Sequence, residues 1–168
     1  MSFDGTDDVL DVGSGIIGST LDNWMSLLVF KPETSSGDFA VVLSDGGVGD
    51  HRAYVPYLDA GNMYFGYLDS ATAMDDGAVS LAQQLVTCQV DSTTASGFKD
   101  GVAFSGTATY TAAGTATANT YSPVIGGYEG PGGAYLEGNF QEIIVYPSDQ
   151  SANRIGIETN INDHYGIY

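Results

Sequence analysis

The chain has 168 residues, 43% of them hydrophobic, enough for one domain with a full core, and one domain spanning residues 1–168 is the expectation. Its 21 acidic residues against four basic ones leave a net charge of −17, which excludes affinity for nucleic acids or anionic membranes, because both are polyanions. No stretch approaches the roughly 20 apolar residues of a membrane span, and the single cysteine, Cys88, excludes an internal disulfide.

In chain order, "SFDGTDDVLDV" reads as strand, tight turn and strand, with Asp4-Gly5 supplying the turn. Next, "VLDVGSGIIG" spaces Gly13, Gly15 and Gly18 as a dinucleotide-binding fingerprint. That fingerprint needs a helix after its last glycine, and here only "STLDN" separates Gly18 from the apolar run at Trp24. The glycines therefore read as a loop between strands, and nucleotide binding is set aside.

Trp24 to Pro32, "WMSLLVFKP", is an apolar strand ended by proline, with Trp24 in the core. "DFAVVLSDGG" closes on glycines, and "HRAYVPYL" and "NMYFGYLD" form a tyrosine-rich pair of strands. "VSLAQQLVTCQVD" is a strand candidate whose first half also fits a helix, with Cys88 as a buried, inert thiol. "SGFKDGVAFSG" is a hairpin with Asp100-Gly101 at its tip. Ser105 to Tyr121 is a low-complexity alanine and threonine tract, read as strand and turn with a flat face of small groups. "QEIIVYP" is the last strand. Behind it Ile157, Ile161 and Tyr165 recur at every fourth position, the period of a helix, with Ser148 or Asp149 as its cap. Many strands and one terminal helix predict an all-β, two-sheet antiparallel sandwich with one short C-terminal helix.

Several short motifs now stand in a telling order: "SFDGTDDVLDV", "GFKDGV", "VIGGY", and then "LEGNFQEIIVYPSDQSANRIGIETNINDHYGIY". This order resembles the concanavalin A-like lectin and glucanase superfamily. In particular it is similar to laminin-G-like jelly-roll modules of the kind found in phage structural and bacterial surface proteins. The resemblance covers essentially the whole chain. It implies two sheets of bent strands, with ligands held by loops at the rim or on the concave face. The signature begins directly after Met1, as expected of an excised module or a stand-alone virion protein.

The resemblance carries no activity with it, since one fold hosts many functions. Glucanases of this superfamily are similar to one another in alternating two glutamates and an aspartate along one strand, which aims all three at one face. Here the acids lie mainly beside glycine, and Glu142 stands alone on its strand. No catalytic residue is therefore assigned. No cofactor is required, although the laminin-G resemblance allows one calcium at the rim, for which Asp45 and Asp50 in "SDGGVGD" are the nearest ligands. For glycan contact, aromatic faces stack on sugar rings, and the candidates are Tyr128 in its glycine-rich loop and Tyr54 and Tyr57 among the strand tyrosines, which include Tyr64 and Tyr67.

The expectation is thus a non-enzymatic module on a virion or cell surface that binds a surface glycan for attachment. The alternative is a structural phage protein, decorating a capsid or associated with a tail, whose partners are other virion subunits or copies of itself, packed through the alanine and threonine tract. A glycoside hydrolase-related role comes last. Neither reading involves nucleic acid or membrane insertion.

Overall fold

The computed structural model describes residues 1–13, 23–34, 38–39, 41–44, 53–59, 62–67, 74–91, 94–105, 108–109, 124–128 and 134–168. The strands are β1 (Ser2–Asp4), β2 (Leu10–Asp11), β3 (Asn23–Pro32), β4 (Asp38–Phe39), β5 (Val41–Ser44), β6 (Ala53–Asp59), β7 (Asn62–Tyr67) and β8 (Met74–Ala78). They continue as β9 (Gln84–Asp91), β10 (Thr94–Lys99), β11 (Val102–Ala103), β12 (Ala108–Thr109), β13 (Val124–Ile125), β14 (Gly127–Tyr128), β15 (Ala134–Tyr135) and β16 (Glu137–Tyr146). Helix α1 (Arg154–Tyr165) closes the chain.

Two antiparallel sheets hold most of these strands. The first runs β1-β16-β3-β9-β10-β11, with β12 also paired to β10, and the second runs β2-β13-β5-β6-β7-β8, with β4 also paired to β6. This is a jelly-roll sandwich with one terminal helix.

Strand β3 shows why the layers form. Trp24, Leu28 and Phe30 share one face and pack with Val86, Cys88, Val90 and Phe140 of the first sheet and with Leu58, Met63 and Ile125 of the second. The intervening Met25, Leu27 and Val29 point the other way and are covered by Ile157, Ile161 and Tyr165 of α1. A strand buried on both faces reads as a continuous apolar run rather than an alternation, and β3 is such a strand.

Three local readings are corrected or refined. The opening segment is not a hairpin: β1 pairs with β16, while β2 pairs with β13 in the other sheet. Gly5, at φ +76°, lets the chain leave one sheet for the other. Helix α1 starts later than a cap at Ser148 or Asp149 would place it, since its N-cap is Asn153. Asp149 instead accepts the Ser151 amide at 2.8 Å, tightening the turn before the helix. The Asp100-Gly101 tip does form, with Phe98 opposite Ala103 and both tip residues at positive φ, as a type I′ turn requires.

The helix is tied down at both ends. Arg154 pairs with the buried Glu158 one turn on and lies 3.7 Å from the centre of the Phe98 ring. At the other end Gly166, at φ +64°, returns its amide to the Asn162 carbonyl. The Asn162 side chain then accepts from the amides of Ile167 and Tyr168.

Cys88 is fully buried, and burial pushes its thiol well above the ordinary range. It should react with a thiol-specific disulfide reagent only after denaturation, at one thiol per chain. Fast labelling of the native protein would contradict its place in the core.

Candidate functional site

The motifs that carried the resemblance meet in space. Phe3, from the opening Phe-Asp-Gly, lies 5.7 Å edge-on from Phe140, in the closing strand. Its ring also occupies the space that a Cβ on Gly126 would need, at 2.2 Å, and Gly126 itself sits at φ +89°. Both facts require glycine there. Gly138, opposite Phe3, is equally constrained, because a Cβ would come within 2.7 Å of the Lys31 carbonyl. These contacts seat the "VIGGY" segment against the first strand. The Leu136 amide donates to the Gly126 carbonyl at 2.7 Å and closes the small β14–β15 hairpin that carries Tyr128.

That hairpin lies beside β4 and β5 of the second sheet. Strand β4 pairs Phe39 with Tyr57, β6 pairs Tyr57 with Tyr64, and β7 pairs Tyr64 with Asp75. Residues directly opposite in an antiparallel sheet share a face. Phe39, Tyr57, Tyr64 and Asp75 therefore form one cross-strand row over four strands. Their chain neighbours Leu58 and Met63, also opposite each other, are in the inter-sheet core. By register the row alternates along β6 and β7 with these core positions.

Tyr54 and Tyr57 are three positions apart, which in a regular strand places them on opposite faces. The register corrects this. Tyr54 stands opposite Gly66 and Tyr57 opposite Tyr64, so three steps on β6 match two on β7. This is a β-bulge, and Pro56, which lacks an amide donor, lies within it. The bulge brings Tyr54 into register two positions along β7 from Tyr64, whereas Tyr67 lies one step beyond Gly66. The structure thus gathers Tyr54, Tyr57 and Tyr64 on adjoining strands, with the Tyr128 hairpin next to β4. Phe39 and Asp75 join them through register alone, a signal that spacing along the chain does not carry.

Asp45 and Asp50 lie outside the described residues. Among the described residues, three carboxylates, from Asp4, Asp7 and Asp8, bring one oxygen each within 4.8 Å of one another. The loop's own bonds take part of that set: Asp8 accepts the Asp4 amide at 3.0 Å and Asp4 accepts the Thr6 amide at 2.9 Å. Glu142 lies on the outer side of the first sheet, opposite Val29 and beside Tyr165 in the groove between β16 and α1. It is on the opposite layer of the molecule from the tyrosine row.

No family model matches this sequence, and a search of curated proteins gave no match. Solved structures do resemble it. The CBM40 of the Ruminococcus gnavus IT-sialidase, bound to α2,6-sialyllactose, superposes with a TM-score of 0.70 at 15% identity, over 95% of this chain and 94% of that one. A heptameric SAP-like pentraxin from Limulus polyphemus gives 0.66 at 13% identity, over 92% and 78%. Domains LG4-5 of the mouse laminin α1 chain give 0.61 at 18% identity, over 88% and 40%. At these identities the likeness is one of fold, and the fold is the concanavalin A-like jelly roll.

Proposed function

We propose that this chain is a non-enzymatic glycan-binding module, displayed on a virion or a cell surface, and that it holds its sugar on the second sheet. The observation that carries this reading is the row of Tyr57 and Tyr64 with Tyr54 brought alongside by the bulge. Flat aromatic groups on a rigid sheet can stack on pyranose rings at little entropic cost, because tyrosine has few rotatable bonds. Asp75 at the end of the row supplies a carboxylate for sugar hydroxyls. The sialyllactose-bound module of similar fold supports a sugar as the ligand class.

The ligand class is an oligosaccharide. A glycan array probed with the labelled protein tests the reading. Retention on one or more oligosaccharides is the expected result, and no retention on any glycan would overturn it.

A calcium ion at Asp45 and Asp50 remains part of the proposal as an optional support for the rim, and its test is thermal. At −17, like charges crowd within the roughly 8–10 Å Debye length of physiological salt. Raising sodium chloride should therefore raise the melting temperature gradually. Millimolar calcium should then add a further step by mass action, with magnesium a poor substitute because it demands a tighter octahedron. Equal shifts from the two divalent ions would rule the calcium site out.

A further inference from the structure

The first sheet carries a second concave feature, on the far side of the sandwich from the tyrosine row. Between α1 and β16 runs a groove of about 720 Å³, lined by residues of both elements. Its floor is apolar, formed by Ile144 of β16 and by Ile157 and Ile161 of α1. Its walls are aromatic, from Tyr146, Tyr165 and His164, with the His164 and Tyr165 rings edge-on at 4.7 Å between centres. Glu142 and Asp163 bring carboxylates to the lining, and no lysine or arginine is among the lining residues.

Two features give this groove one electrostatic preference. Its two carboxylates carry formal negative charge. The last turn of α1, which supplies Ile161 through Tyr165, ends in carbonyls that carry the negative pole of the helix.

We propose that this groove binds a small organic cation: a protonated amine carried on a short apolar stem, the stem against the isoleucine floor and the ammonium between Glu142 and Asp163. Charge complementarity chooses this occupant over the alternatives. An anion meets two carboxylates and a helix C-terminus, and a neutral apolar molecule gains from the floor alone.

The test uses n-hexylammonium as the probe, with hexan-1-ol and hexanoate as its neutral and anionic counterparts, titrated calorimetrically at 150 mM salt to screen the general charge of the chain. Hexylammonium should bind at least tenfold more tightly than hexan-1-ol, and hexanoate should not bind. Asp163→Asn, at an exposed position, should weaken the amine at least tenfold with the melting temperature kept. Asp7→Asn removes one charge elsewhere and should change nothing. Equal binding of hexan-1-ol and hexylammonium would overturn the proposal, as would equal losses from Asp163→Asn and Asp7→Asn, since the attraction would then belong to the net charge rather than the groove. Because neither carboxylate touches the tyrosine row, Glu142→Gln with Asp163→Asn should abolish amine binding and leave any glycan binding intact.

Discussion

Replacing Trp24 by alanine is expected to cost about 3–5 kcal/mol of folding stability, the usual range for emptying a buried aromatic site. Trp24 is 0% exposed at the start of β3, where it packs within the core shared by both sheets. Its neighbours are strands of a sandwich, held by ladder hydrogen bonds on both sides, so the surroundings can collapse only partly into the space left behind. Urea denaturation followed by circular dichroism measures the loss, since the chain's single tryptophan is the residue removed. A change below about 1 kcal/mol, small against the whole range for such sites, would mean that β3 does not form the centre of the sandwich.

The second large effect concerns binding. Tyr57→Ala with Tyr64→Ala removes the directly opposed pair at the middle of the row. One central aromatic hot spot typically costs about 2 kcal/mol or more on truncation, so even with non-additive losses affinity for the best-retained glycan should fall at least roughly thirtyfold. Tyr57 and Tyr64 alternate along their strands with the core residues Leu58 and Met63, so the core should remain and the urea midpoint should move little. Tyr67→Ala is the matched control, since its register position, one step beyond Gly66, lies outside the row, and it should spare affinity. A double variant that keeps its glycan affinity would remove the row from the site.

Much of the architecture was legible because its causes are local. The apolar run of "QEIIVYP" stopped by proline marked β16 as a strand, the Asp100-Gly101 pair could hardly form anything but a tight hairpin, and the four-residue recurrence of Ile157, Ile161 and Tyr165 marked the covering helix. What escaped had non-local causes. Nothing within "SFDGTDDVLDV" reveals that its two strands join different sheets, because that depends on β16 and β13, more than a hundred residues away. The helix cap was misplaced for a related reason: Asp149 has the chemistry of a cap, and whether it caps a helix or a preceding turn is decided by where β16 delivers the chain.

The candidate site shows the same division. The tyrosines of "HRAYVPYL" and "NMYFGYLD" were visible as a cluster, but a period of two assigns Tyr54 and Tyr57 to opposite faces. Only the bulge at Pro56, seen in the pairing of β6 with β7, brings them together. The same pairing dismisses Tyr67 and recruits Phe39 and Asp75. The groove under α1 had no sequence signal, since its walls come from two elements whose facing is set by packing.

Amide chemical-shift mapping during titration with the best-retained oligosaccharide tests the central claim most directly. Perturbed amides should cluster on β4, β6 and β7 and on the β14–β15 hairpin, around Phe39, Tyr54, Tyr57, Tyr64 and Tyr128, with the α1 amides unmoved. Perturbations gathered instead on β16 and α1, with the second sheet silent, would contradict it.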